Sequence, residues 1–165
     1  MAVLPICRFP DDKVLKQKAK KVSGIDASIL RLLDNMVDTM QAANGVGLAA
    51  PQVGVPLRLI VVQVPGEEPH AIINPEITKR SGEQEVTEGC LSVPGYYGEL
   101  KRSAKVTAKG MDRRGKKIKI KAAGLLAEAL EHETDHLNGI LYIDHVQNEG
   151  KLYRIQDGTT SESEE

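Results

Sequence analysis

Tryptophan is absent from the chain, and phenylalanine occurs once. So few rings offer no stacking platform for bases, and direct nucleic-acid recognition is not expected. An excess of one charge is missing too. With 22 basic and 23 acidic residues the formal net charge is −1. Bulk charge therefore selects neither a polyanion nor an anionic membrane surface. No apolar run approaches the roughly 20 residues that cross a bilayer. The apolar start, Ala2 to Ile6, is too short for a signal peptide. Two cysteines, Cys7 and Cys90, make no disulfide framework. A soluble cytoplasmic protein with two reduced thiols is the expectation. Length allows one domain with a real core, placed at residues 1–150. Residues 151–165 end in small and acidic residues and are expected to form a disordered tail.

What the chain does contain is organised around His132-Glu133-Thr134-Asp135-His136. Leu125, Ala129, His132 and His136 recur at helical spacing, so Gly124 to about Asn138 reads as a helix ended by Gly139. Positions i and i+4 lie on one helix face, which lets two imidazoles share one metal ion. Glu133 stands beside the first of them, as a general base for metal-assisted hydrolysis should.

Upstream, Asp26 or Ser28 caps a helix running to about Ala43. Its apolar stripe is Ile29, Leu32, Leu33, Met36, Val37 and Met40. Lys13 to Val22 reads as a solvated surface segment. Gly45-Val46-Gly47-Leu48-Ala49-Ala50-Pro51-Gln52 follows, a loop of little bulk that lets backbone approach a ligand closely. A plain turn explains its glycines but not Gln52. Leu57 to Val64 reads as a buried strand, and His70 to Ile77 as a second, interrupted near Asn74-Pro75. Glu83 to Thr87 alternates like a strand and leads into Glu88-Gly89-Cys90-Leu91-Ser92. Ala104 to Lys109 and Lys116 to Lys121 read as two strands of a hairpin, wet on one face. Ile140 to His145 reads as a short extended stretch.

Two histidines leave a metal short of ligands. One protease pattern asks for a third histidine where the chain has Tyr142, with His145 off the spacing. Another asks for a downstream glutamate on a second helix, for which Glu149 and the acidic residues after it leave too little chain. A zinc metallopeptidase remains the alternative reading. A closed structural site would need a fourth ligand, and Cys7, His70 and His145 lack that context. Cys90 is the best third ligand: one thiolate with two imidazoles suits zinc or ferrous iron and keeps a coordination position open, as catalytic sites do.

With these segments in view, the chain resembles the peptide deformylases. Gly45 to Gln52 is similar to that family's Gly-x-Gly-x-Ala-Ala-x-Gln motif. Glu88 to Ser92 matches its Glu-Gly-Cys-x-Ser motif, and His132 to Leu137 its metal helix. The resemblance implies an α+β fold, with small, mostly antiparallel sheets packed around the helix bearing His132 and His136, plus one N-terminal amphipathic helix. It implies a hydrolase that removes the formyl group from the N-terminal formyl-methionine of new polypeptides and releases formate. It also implies a divalent metal on Cys90, His132 and His136. Ferrous iron is the expected ion, with zinc, nickel or cobalt able to occupy the site. Glu133 becomes the proton carrier, while the Gln52 amide and the Leu91 backbone N–H receive the oxyanion. Helix phase and motif adjacency suggest Val46, Val86, Leu125 and Ala129 for the methionine side chain, with Gly45 and Gly47 beside it. Glu88 and Asp135 are candidates to orient the histidines, and Asp135 could instead pair with Arg102. The expected partners are formyl-methionyl nascent peptides and, transiently, the ribosome; the acidic tail lacks the basic extension usual for ribosome docking. Two departures stand out: Tyr97 occupies a position where some relatives carry a substrate-holding arginine, and Glu131 replaces a frequent glutamine.

Overall fold

The computed structural model describes residues 2–149, 152–156 and 159–163. The chain builds a mixed α/β architecture of two small antiparallel sheets and few helices. The first sheet contains β1 (Gly47–Ala49), β2 (Leu59–Val62), β3 (His70–Ser81), β6 (Lys105–Met111) and β7 (Lys117–Ala123), in the order β1-β2-β3-β6-β7. The second contains β4 (Gln84–Cys90), β5 (Val93–Arg102), β8 (Leu152–Gln156) and β9 (Thr159–Ser163), in the order β4-β5-β8-β9. Helix α1 spans Ala27–Ala42, α2 Gly124–Leu137 and α3 Tyr142–Glu149. No helix of the described residues is long and apolar enough to cross a membrane.

Strand β2 reads Leu-Ile-Val-Val because it is buried on both faces. Successive side chains point to opposite sides of a sheet. Leu59 and Val61 pack with Leu33, Met36 and Met40 of α1, whereas Ile60 and Val62 pack with Ala127, Ala129, Leu130 and Leu137 of α2. Asp26 starts α1, its carboxylate accepting the backbone N–H of Ile29 at 3.0 Å. Helix α2 ends at a turn through Gly139, φ +74°, where an added Cβ would stand 2.6 Å from the Lys16 carbonyl oxygen. Only glycine fits so close a crossing.

Three segments differ from their sequence reading. Lys13 to Val22 is not simply solvated, since Leu15, Ala19 and Val22 are buried and Arg58 N donates to Lys20 O at 2.8 Å. Ile140 to His145 is not extended. The Asp144 carboxylate accepts the Leu141 N–H at 2.9 Å, and α3 buries Tyr142, Ile143 and Val146 against Val93 and Leu100. The stretch expected as a disordered tail holds β8 and β9, in register from Leu152↔Ser163 to Gln156↔Thr159. Leu152 enters the core of the second sheet, and the Tyr153 ring stacks on Tyr97 with centroids 5.0 Å apart. Those contacts offset the ordering entropy that composition alone left unopposed.

Candidate metal centre and substrate cleft

Helix α2 presents His132 and His136 on one face, with Nε2 atoms 3.2 Å apart. Strand β4 ends at Cys90, whose Sγ lies 3.4 Å from His136 Nε2. The three donor atoms all fall within 4.8 Å of one another. Around a tetrahedral ion with bonds of about 2.05 Å to nitrogen and 2.3 Å to sulfur, two nitrogens stand roughly 3.3 Å apart and nitrogen and sulfur roughly 3.5 Å. The observed spacings and the donor chemistry therefore fit a divalent cation.

Behind the donors runs a chain of charges. His132 Nδ1 meets Glu88 Oε1 at 2.7 Å, which leaves Nε2 turned to the centre. Glu88 accepts two bonds from Arg102, at 2.7 and 2.8 Å. Arg102 also donates to Asp135 Oδ2 at 2.7 Å, and His145 Nε2 lies 2.9 Å from the same oxygen. Asp135 thus takes the Arg102 pairing, and Glu88 is the carboxylate on His132. Burial works to raise the Glu88 pKa, yet the Arg102 and His132 bonds prevail and hold it down at about 2. Burial likewise works to lower His132, but the charge of Glu133 and the bonds to Cys90 and Glu88 keep it well above its ordinary value. His136 is pushed well below, by burial and by His132 beside it. Two imidazoles this close do not both carry a positive charge.

Glu133 is 4% exposed, and its Oε1 finds no hydrogen-bond partner among the described residues. Burial raises its pKa to about 7. Gly47 makes room for it: an added Cβ there would meet Glu133 Oε2 at 2.5 Å and its Cγ at 2.8 Å. Gln52 is 1% exposed; its Oε1 accepts the Ala49 N–H at 2.9 Å, and its Nε2 donates to Ser92 Oγ at 3.1 Å and lies 3.6 Å from Cys90 Sγ. The N-terminal arm straps this corner, Cys7 N donating to Gln52 O at 2.7 Å and Phe9 N to Ser92 O at 2.9 Å.

A cleft of about 480 Å³ opens over these groups. Gly45, Val46, Gly47, Gln52, Cys90, Leu91, Leu125, Ala129, His132 and Glu133 all reach it, as their motifs suggest. Val86 does not line it. It pairs with Leu100 across β4 and β5 and packs against Val93, Leu100 and Tyr142. Helix phase and motif adjacency carry no information about a cross-strand partner. Several lining residues were not predicted from the sequence, among them Glu128, Tyr96 and Ile155. Glu128 was within reach of helix phase, one turn before His132; burial, then the charge of Glu88, raises its pKa. Ile155 carries no such signal, because only sheet pairing brings it there. Glu131 faces away from the donors, toward Arg80 at 3.0 Å and the Ser103 backbone N–H at 2.7 Å. The downstream protease ligands fail here as well. Tyr142 is 1% exposed in the core, and His145 is held by Asp135.

Residues 3–152 match the polypeptide deformylase family. The chain is similar to a peptide deformylase of Dehalococcoides mccartyi (strain CBDB1), 57% identical over 156 residues that cover 94% of this chain and 93% of the relative. It is also similar to one of Thermodesulfovibrio yellowstonii, 54% identical with 88% and 90% covered. Among solved structures, a peptide deformylase from Legionella pneumophila superposes with a TM-score of 0.83 at 49% identity, covering 87% of this chain and 85% of that one. One from Ehrlichia chaffeensis in complex with actinonin superposes with a TM-score of 0.84 at 42% identity, covering 88% and 89%.

Proposed function

Because the chain belongs to the peptide deformylase family, we infer that Cys90, His132 and His136 are its metal ligands and Glu133 its proton carrier. The family's enzymes are metal-dependent hydrolases that remove the N-formyl group from the N-terminal formyl-methionine of polypeptides, and this chain shares that activity. A divalent ion held by Cys90, His132 and His136 would supply Lewis acidity and lower the pKa of a water there. Glu133 takes a proton from the attacking water and delivers it to the departing amine as the C–N bond breaks, so that formate and a free amino terminus leave. Gln52 Nε2 and the Leu91 N–H donate to the formyl oxygen as it gains charge, one such donor being worth about 3 kcal/mol of barrier. Glu88 holds the His132 ring, and Arg102 holds Glu88. Val46, Leu125 and Ala129 receive the methionine side chain, with the Gly45 and Gly47 backbone close by.

The finer readings are of a piece with this. One catalytic domain is centred on α2, braced by the amphipathic α1 and extended past residue 150 by β8, which pairs with β5. Ferrous iron is the working ion, with zinc, nickel or cobalt as substitutes. The substrates are nascent chains in the cytoplasm, met during transient association with the ribosome. The observation that carries the proposal is the convergence of Cys90 Sγ and two Nε2 atoms at 3.2 and 3.4 Å beside a buried carboxylate. Formate release from formyl-Met peptides, with bound metal quantified in the same anaerobic sample, tests it. No release from metal-loaded protein would overturn it, and cleavage of internal bonds in blocked peptides would favour a metallopeptidase.

A further inference from the structure

Strand β8 begins where the family match ends, at residue 152, yet it carries Ile155 into the wall of the cleft. Three successive residues hold the strand against β5. Leu152 is buried in the core of the second sheet. Tyr153 stacks on Tyr97 and donates its hydroxyl to Glu99 at 3.1 Å. The Arg154 guanidinium stands 5.9 Å from the ring centre of Tyr96, itself a cleft residue. Tyr96 pairs with Arg154, so Ile155 comes next, beside the bend at Gly95, where φ is +86° and no neighbouring atom approaches within 4 Å of the missing Cβ.

Large apolar side chains are exposed at three positions among the described residues: Val3 at 61%, Leu125 at 40% and Ile155 at 51%. A single exposed apolar residue is ordinary. Here two of the three line one cavity whose floor is His132, Glu133 and the buried Ala129. Apolar walls around a few convergent polar groups are the mark of a ligand site. With the formyl group and methionine placed on the floor, as the deformylase reading requires, the next peptide residue leaves past the rim. We propose that Ile155 contacts the side chain of the residue after formyl-methionine and makes the enzyme prefer an apolar one there. The proposal rests on the deformylase reading of the cleft and adds to it a specificity residue from outside the family's matched length.

The test compares formate release from formyl-Met-Leu and formyl-Met-Ser amides by wild-type enzyme, Ile155→Ser and Ile155→Leu. Wild type should favour the leucine substrate in kcat/KM. Ile155→Ser should lower kcat/KM for that substrate about three- to tenfold, chiefly through KM, and change the serine substrate less than about twofold. Ile155→Leu should keep the preference. The ratio of the two substrates does not depend on how much enzyme is folded, so partial loss of protein cannot imitate the effect. An unchanged ratio in Ile155→Ser, or a wild type without preference, overturns the proposal. No formate from either substrate with metal-loaded wild type overturns instead the deformylase reading beneath it.

Discussion

The back of the site and its mouth are built on opposite principles. At the back, Glu88 and Arg102 have side chains only 3% and 5% exposed, and each polar group has a charged partner. At the mouth, Leu125 and Ile155 stand in water without a cover. The back is over-determined: one carboxylate accepts two guanidinium bonds and an imidazole, so His132 has one orientation. The mouth is under-determined until something apolar fills it. Chemistry needs the first arrangement and selection among peptides the second.

Back and mouth should differ most at Glu133, the proposed proton carrier. Glu133→Gln should retain the metal and lose between about a hundredfold and ten-thousandfold in kcat, measured as formate release beside metal content. Survival of turnover would remove Glu133 from its role. Arg102→Met comes next, since it strips the buried Glu88 of its charge partner. A loss of roughly 3–5 kcal/mol is expected, read as a fall in the urea midpoint, with weaker metal retention alongside. If stability hardly changes, the back wall is not held by charge. Gly47→Ala pushes a methyl into the Glu133 carboxylate and should lower kcat by about a hundredfold while the metal stays bound. The readout is again kcat against metal content, and an unaffected kcat would mean that Glu133 moves without consequence.

The pH dependence of the metal-free protein is a subtler test of the back wall. The Glu88 pKa is depressed from 4.5 to about 2. Its contribution is therefore fully present above about 4.5 and is lost as pH falls toward 2, because only the unfolded chain takes up the proton in that window. Wild type should lose more stability than Glu88→Gln between pH 5 and pH 3, judged from urea midpoints. Parallel losses would place the charge network elsewhere. The mouth should yield the smallest effects, a few-fold in KM at Ile155.

The segments that could be read in advance are those whose information is local. Ile29, Leu33, Met36 and Met40 repeat with the period of a helix and are buried on one face of α1. The His132–His136 spacing belongs to one element, and the donors meet as that spacing requires. Alternation in β7 was equally plain. The α3 helix was harder, because Tyr142 to Glu149 is short and its stabilisation comes from burial against β5 rather than from propensity.

The sequence by itself determined which reactive groups are present: a cysteine, two imidazoles at helical spacing, a carboxyl group beside them and an amide on a loop of small residues. Those identities bound the reaction whatever the packing. Tertiary structure alone decided which carboxylate orients His132, that Val86 turns into the core, and that Ile155 reaches the cleft. Each of those outcomes depends on partners far along the chain, Glu88 with Arg102, Val86 with Leu100, and β8 with β5. Residue types declare what a group can do. Only the pairing of distant strands determines which groups stand within bonding distance.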